Sequence, residues 1–519
     1  MTGDSGTFRD QRQEARGTGS GDVPPPHAPA LPSWLATALV FLSSAAVLVL
    51  EILSLRLVAP YVGVTLQTST GVIGAALAAI AFGAWTGGRV ADVTDPRRLL
   101  APALLLAGVA TLLVLPVVRW AGSVLTGPDA GSVFLLATLA VFVPAALLAS
   151  VTPLVVKLEL ADLSRTGSVV GYFSGVGTLG AIVATFLTGF VLVAALSTSV
   201  IVLSLGGLLV AAGLAVAVVL RRGRDPMTTS CVAAAVLCGS LTAFAPDPCE
   251  RETAYHCARV VPDPSRPAGR TLQLDTLRHS YVDLADPTHL EFGYVRALAS
   301  VADVFRRPGE PIEALHLGGG GMTFPRYLAA SRPGTSSRVL EIDAGVVEVG
   351  RRELGLRTGD DLHVDVVDAR VGLAAEAGGR YDLVVGDAFG GIAVPWHLTT
   401  VETARDVARV LRPDGVYAVN VIDYPPSAFA SAEAATLRRV FPHLTVVARD
   451  SAITGHDGGN FLLLASRAPL PVDAIAARLA ERDAELRVAK PAEVARFVAG
   501  AAVLTDDHAP VDQLLNPYG

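Results

Sequence analysis

In the second half of the chain, short apolar runs each end in glycine or a carboxylate, the residue types that hold polar ligands. Ala314–Leu317 runs into Gly318-Gly319-Gly320-Gly321, and Arg338–Ile342 closes on Glu341-Ile342-Asp343. Leu362–Val366 is followed by Asp368-Ala369, and Tyr381–Gly386 by Asp387-Ala388-Phe389. Glycine lets a backbone turn sharply and admits a ligand against the main chain. A carboxylate about 20 residues beyond such a turn can accept both hydroxyls of a ribose. Asp368 suits an adenine amino group. A glycine run by itself also fits an empty loop, but four such positions in succession point to a nucleoside-type ligand.

Those residues need a scaffold that gathers them. The apolar runs above, with Gly415–Ile422, Leu444–Ala448 and Phe461–Ala465, read as strands. Helical patterns lie between most of them, at Pro325–Ala330, Ala344–Leu354, Thr399–Leu411 and Ala428–Val440. Alternation of this kind predicts an α/β domain, a parallel sheet covered on both faces. Ligands on such sheets sit beyond the carboxyl ends of the strands.

The first half is of another kind. Of 519 residues, 51% are hydrophobic and 17% charged, against about a quarter charged in a soluble domain. The mean hydropathy of +0.49 and pI near 5.8 argue against a purely soluble enzyme and a broadly basic nucleic-acid binder. Residues 1–33 carry few large apolar groups and predict a disordered tail. About 20 apolar residues cross a bilayer, and seven segments qualify: 34–58, 67–88, 99–118, 132–156, 169–195, 198–220 and, shortest, 228–245. The chain thus divides into a multi-span α-helical membrane domain (34–246), a small β-rich region (250–300) and a nucleotide-binding domain (301–519). The lipid bilayer is the first expected partner.

Basic residues flank these segments unevenly. Arg9, Arg12, Arg16, Arg89, Arg97, Arg98, Lys157, Arg165, Arg221, Arg222 and Arg224 fall before the first span or after even-numbered ones; the other loops carry only Arg119. Retention of cations in the cytoplasm places the N-terminus inside, and seven spans place everything after Ala245 outside the plasma membrane. Cys249 and Cys257 stand just past the last segment, where an oxidising compartment would allow a disulfide; two free thiols are the alternative. A zinc site with His256 lacks a second cysteine pair, and no metal is expected. Glu51 and Arg56, near the end of the first segment, are functional candidates or a pair of snorkelling side chains. Gly175, Gly177 and Gly180 spell a dinucleotide fingerprint, but with no strand before it. Together with Gly171, Gly83 and Gly87 they read as close helix contacts. Pro144 and Pro153 predict a kink in the fourth span.

From about Glu250 to Asp512 the sequence resembles the spermidine synthase (polyamine aminopropyltransferase) family, and the whole chain resembles its membrane-fused members. Glu252-Thr253-Ala254-Tyr255-His256 is similar to the family's Glu-Ser-x-Tyr-Gln, and Gly269-Arg270-Thr271-Leu272-Gln273-Leu274-Asp275 to its Gly-Arg-x-Leu-x-Leu-Asp. Leu317–Gly320, Glu341–Asp343, Asp368 and Tyr381–Asp387 then follow in the family's order. The resemblance implies a class I methyltransferase-like (Rossmann-like) domain preceded by a small β-hairpin region. It implies decarboxylated S-adenosylmethionine or a related adenosyl compound as substrate, held by Gly318, Gly319, Gly320, Glu341, Asp343, Asp368 and Ala369. Asp387 is the implied catalytic acid-base, and the reaction is attack by an amine on the carbon next to a sulfonium. Tyr255, His279, Tyr281 and His289 are implied to approach the substrate.

The chain also departs from that pattern. The family's Asp-x-x-Asp is Asp387-Ala388-Phe389-Gly390, its Tyr-His-Glu is Tyr294-Val295-Arg296, and the acid of Gly-Gly-Gly-Asp-Gly is Gly321. Each loss falls on amine or sulfonium recognition. The leading expectation is a membrane-anchored transferase acting on a small-molecule amine or another acceptor. The alternatives are a non-catalytic nucleoside-binding sensor and a transporter-associated domain. Association into a homo-oligomer is left open. His397 and Thr505-Asp506-Asp507-His508 are further candidates near the pocket, Trp396 either a pocket or a core residue.

Overall fold

The computed structural model describes residues 31–127, 129–160, 163–220, 226–482 and 485–516. The expected tail, with Arg9, Arg12 and Arg16, and the basic cluster Arg221, Arg222 and Arg224 lie outside the described residues. The first half is an all-helical bundle: α1 (Ser33–Val62), α2 (Leu66–Val93), α3 (Leu100–Gly122), α4 (Ala130–Ala149), α5 (Val151–Glu159), α6 (Thr166–Leu187), α7 (Val193–Ala195), α8 (Thr198–Val219) and α9 (Pro226–Leu241). Among the described residues, six helical segments are long and apolar enough to cross a membrane. The seventh expected span is α9, whose 16 residues rise only about 24 Å. The fourth breaks between α4 and α5 at Ser150. Pro144 lies within α4, whereas Pro153 stands in the first turn of α5, where a missing N–H costs nothing. A π-helical turn, Thr188–Leu192, interrupts the fifth.

Glycine sets how closely helices meet. A Cβ on Gly180 would stand 2.5 Å from the carbonyl oxygen of Phe41, so α6 lies directly on the backbone of α1 there. Gly177 meets Ser44, and Gly83 and Gly87 receive the backbone around Ala146 and Ser150. Gly171 and Gly175 touch nothing, which corrects the expectation that they too mediate packing.

Beyond the bundle, β1 (Arg251–Glu252), β2 (Cys257–Asp263), β3 (Arg266–Leu274) and β4 (Leu277–Asp283) form an antiparallel four-stranded sheet. Its apolar face (Ala258, Val260, Leu272, Leu274) packs on Val346 and Val349 of the following domain. That domain has eight strands: β5 (Glu313–Leu317), β6 (Ser336–Glu341), β7 (Leu362–Val366), β8 (Tyr381–Gly386), β9 (Leu411–Asp423), β10 (His443–Arg449), β11 (Gly459–Ser466) and β12 (Leu486–Val488). Their order is β12-β10-β11-β9-β8-β5-β6-β7. From β9 to β7 neighbours run parallel; β11, β10 and β12 add antiparallel pairs. The expected parallel sheet is therefore mixed: β11 follows β10 through the short segment 450–458 and inserts antiparallel between β9 and β10, and β12 pairs antiparallel with the other side of β10. Every residue of β8 is buried, as a central strand covered on both faces requires. Strand order reverses between β5 and β8, and this switch point opens a crevice at their carboxyl ends.

Among the described residues, the C-terminal domains meet the bundle at the end that carries Arg56 and Arg119. There Arg56 donates to the carbonyl oxygens of Thr253 and Ala254, and to Thr198 Oγ1 at 3.1 Å. Arg119 pairs with Asp247 at 2.9 Å, Ser199 holds Glu252, and Gly391 lies against Val64. Arg56 therefore ties the bundle to the linker, with its guanidinium directed to Thr198, Thr253 and Ala254. α8 begins at this end, and α9 runs back along α3, with Ala235 and Cys238 against Leu112, before Asp247 reaches Arg119.

Candidate active site

A cavity of 520 Å³ opens at the switch point. The Asp387 N–H donates to Leu317 O, continuing the pairing of β8 with β5 by one residue, so the side chain emerges at the cavity floor. The Tyr294 hydroxyl donates to Asp387 Oδ2 at 3.0 Å, and Asn420 Nδ2 to Oδ1 at 2.8 Å. Asn460 Nδ2 in turn donates to Asn420 Oδ1 at 2.9 Å, which fixes the amide's orientation. Burial pushes the Asp387 carboxyl up to about 7, against the lowering pull of Asn420 and Tyr294. Such a group exchanges a proton near neutrality, the property a general acid-base needs. Burial, and then the adjacent Asp387, hold the Tyr294 phenol well above its ordinary range.

Next to that floor the chain turns through Gly318, with φ of +90° and an imaginary Cβ 2.6 Å from Asp387 O. Only glycine fits there without opening the switch point. The amides of Gly319 and Gly320 donate to Glu341 Oε2 at 2.9 and 3.2 Å, and Asp343 N to Oε1 at 3.0 Å. These bonds hold the Glu341 carboxylate at the wall of the cavity. Asp368 caps the helix Ala369–Ala375 through Oδ1, accepting from Arg370 N at 2.8 Å. Its Oδ2 stands 3.3 Å from His397 Nε2. Glycines 318–320, Glu341, Asp368, Ala369, His279, Asp387 and His397 all line this one cavity.

Four expected residues do not. Asp343 is buried as the N-cap of the helix Ala344–Glu353, accepting from Gly345 N at 2.8 Å and Thr253 Oγ1 at 2.5 Å; a carboxylate so occupied cannot reach a ribose. Tyr255 is half exposed at the junction with the bundle. The Tyr281 hydroxyl donates to Asp263 at 2.7 Å, since that position of β4 faces away from the crevice. His289 packs edge-on against the Tyr281 ring, 3.3 Å from Glu291. Asp506 accepts from Thr400 Oγ1 at 2.6 Å and from Arg370, which locks the C-terminal turn instead of supplying the pocket. Trp396 is half exposed beside that pocket.

Tyr294, Asn420 and Asn460 are the residues that sequence reasoning missed. Asn420 and Asn460 are diagonal neighbours across the β9–β11 ladder, where Asn420 is paired with Leu462 and Asn460 with Ile422, a register no linear motif encodes. A buried asparagine within an apolar strand is the signal that could have found these two, and the Tyr294-Val295-Arg296 motif the signal for Tyr294. His256 was also missed as a wall residue. It lines the cavity and contacts Asp275 Oδ2 through Nδ1 at 2.9 Å. Burial opposes its protonation, yet Asp275, with Asp343 and Glu341 beyond, raises its pKa above the ordinary value. His279 is driven the other way, to about 4, by burial and by His256, so it is uncharged at neutral pH. Cys249 and Cys257 are joined in a disulfide that closes the loop carrying Thr253, Tyr255 and His256. Among the described residues no cluster of three or more histidine, cysteine or acidic side chains could hold a metal ion.

Comparison with known proteins bears on this geometry. A polyamine aminopropyltransferase from Vibrio vulnificus (strain CMCP6) is 32% identical over 152 residues, 29% of this chain and 49% of the relative. This chain is similar to polyamine aminopropyltransferases. A second, from Chromobacterium violaceum, is 29% identical over 153 residues, 29% of this chain and 57% of that protein. The chain thus spans about half the length of the curated relatives it matches. No family model matches. Among solved structures, a probable spermidine synthase from Corynebacterium glutamicum ATCC 13032 aligns with a TM-score of 0.47 and 26% identity, over 50% of this chain and 96% of that one.

Proposed function

We propose that the protein is a membrane-anchored transferase that moves an aminopropyl group from decarboxylated S-adenosylmethionine to an amine. The observation that carries this is the buried Asp387 carboxyl, poised near 7 on the floor of a cavity whose neighbouring strand ends present Glu341 and Asp368. Glu341 and the glycine turn hold the ribose, and Asp368 Oδ2, which also stands 3.3 Å from His397, takes the adenine amino group. The acceptor nitrogen forms a bond to the propyl carbon attached to sulfur, while the carbon–sulfur bond breaks and its electron pair stays on sulfur. Asp387 receives the proton the nitrogen gives up, and methylthioadenosine, an uncharged thioether, leaves. Orientation of the two reactants supplies much of the rate.

The reading includes a location: a multi-pass protein with a cytoplasmic N-terminus and the C-terminal domains outside. The bundle end that carries those domains is poor in cations, with Arg56 and Arg119 both engaged. Arg89, Arg97, Arg98, Lys157 and Arg165 lie toward the other end. The Cys249–Cys257 disulfide agrees with an oxidising compartment. A cysteine placed at the exposed Ser265 should then react with an impermeant thiol reagent in intact cells; labelling only after lysis would put the domains inside.

The function is tested by titrating the purified full-length protein with methylthioadenosine in a calorimeter. Saturable heat is expected, and Asp368→Ala should weaken binding about tenfold, the cost of one polar contact to the base. No heat from any adenosyl ligand would end the transferase reading. Binding without methylthioadenosine release from the sulfonium substrate would favour a nucleoside sensor.

A further inference from the structure

At the end of the bundle away from the C-terminal domains, a groove of 1070 Å³ opens between the first turns of α1 and α6. We infer that this groove holds a phospholipid whose headgroup carries both a phosphate and a primary amine. The inference rests on the membrane part of the reading above and not on the transferase chemistry. Its depth in a bilayer follows from α1. Trp34 and Arg56 stand about 33 Å apart along that helix, at 1.5 Å per residue, against about 30 Å for a hydrocarbon core. With Arg56 at one surface, Trp34 reaches the headgroup level of the other. Trp34 and Tyr172, both exposed, line the groove, and such side chains settle at that level.

Two charged side chains line it as well: Glu159 at the end of α5 and Arg165 just before α6. Glu159 Oε1 is buried and accepts no hydrogen bond. Among the described residues, neither Glu159 nor Arg165 forms a salt bridge, with one another or with a third group. A buried carboxylate oxygen without a donor carries a desolvation cost that an arriving ammonium removes. The exposed Arg165 guanidinium suits a phosphate. One acceptor and one donor of opposite charge, each unmatched, fit a zwitterion with its charges on a short linker. An anionic headgroup leaves Glu159 unmatched, and a trimethylated amine has no N–H to give it. The acyl chains need an apolar bed. Phe41 lines the groove on the α1 side. On α6, one and two turns beyond Tyr172, Gly175 leaves open space and Leu179 stands exposed. The open flank of Gly175, which no contact within the chain uses, becomes the track for a chain.

Headgroup preference tests this directly. Full-length protein in mild detergent is titrated with phosphatidylethanolamine, phosphatidylglycerol or phosphatidylcholine of matched acyl chains, and retained lipid is counted by native mass spectrometry. One phosphatidylethanolamine per chain should be retained at about tenfold lower concentration than either of the others, the lower range for a charge-assisted hydrogen bond. Glu159→Gln should erase the preference over phosphatidylglycerol, whereas Arg165→Gln should weaken retention of both. Gly175→Leu, at a position that meets no neighbour in the chain, should displace the lipid by filling its track. Far-ultraviolet circular dichroism checks that each variant folds. Equal retention of the three lipids, preference for phosphatidylglycerol, a preference that survives Glu159→Gln, or retention unaltered by Gly175→Leu would overturn the inference. Release of the protein from membranes by a carbonate wash would remove the membrane reading itself. Neither result bears on the transferase reading, which stands or falls with methylthioadenosine.

Discussion

Two glycine-rich stretches of this chain look alike in sequence and do opposite things. Gly175, Gly177 and Gly180 sit inside α6, where the side chains missing at Gly177 and Gly180 bring two helices together until Gly180 rests on Phe41 O. Gly318, Gly319 and Gly320 follow β5, where the missing side chain and the φ of +90° let the backbone turn away and leave a cavity beside Asp387. In one place glycine removes space, in the other it creates it. The preceding element decides which: a helix keeps φ negative throughout, whereas the end of a strand is free to reverse.

That contrast can be broken by substitution. The largest effect belongs to the group the second stretch exposes. Asp387→Asn should lower methylthioadenosine release about a thousandfold, the usual scale for a lost acid-base group. In the parent protein kcat/KM should rise with pH through about 7, where the buried carboxyl titrates, and then level off. The sign for stability is opposite. A carboxyl raised from 3.8 to about 7 binds more protons folded than unfolded, so it costs stability as pH climbs through that window. Asp387→Asn should therefore raise Tm at pH 8 relative to the parent while activity is lost. A lower Tm at that pH would mean the carboxylate contributes to the fold.

Gly318→Val comes next. Its Cβ would strike Asp387 O and its φ is strained, so methylthioadenosine affinity should fall about a hundredfold, on the scale of a few kcal/mol of local strain. Far-ultraviolet circular dichroism should be unchanged. Gly180→Val has the smallest effect on chemistry. Overpacking against Phe41 should destabilise the bundle by about 1–3 kcal/mol and lower Tm, with methylthioadenosine affinity intact. If Gly180→Val instead weakened nucleoside binding, the bundle and the cavity would be coupled, and the division between the two glycine stretches would fail.

Much of the fold was legible because periodicity is local. Each apolar run from Ala314 to Ala465 that reads as a strand coincides with one, and the carboxylates at Glu341, Asp368 and Asp387 reach one cavity because a parallel sheet aligns its strand ends. What the pattern could not supply was direction. Asp343 is two residues from Glu341 and points into a helix cap; Tyr281 is two residues from His279 and points to Asp263. The helix N-terminus claimed Asp343, and a shift in the β3–β4 register beside His279 turned Tyr281 to the other face. The α9 helix shows the same limit, since its shortness is visible in sequence but its course back along α3 is not.

The order of residues alone determined the division into an apolar helical half and an α/β half, the glycine turn and the acids that follow successive strands. Those depend on composition and spacing within a few tens of residues. Only the tertiary structure decided that Tyr294, Asn420 and Asn460 would surround Asp387, and that arginines from β4, the helix Gly293–Phe305 and β10 would share one wall with it. These partners lie far apart along the chain, and strand register and helix docking, which no short window of sequence contains, bring them within reach.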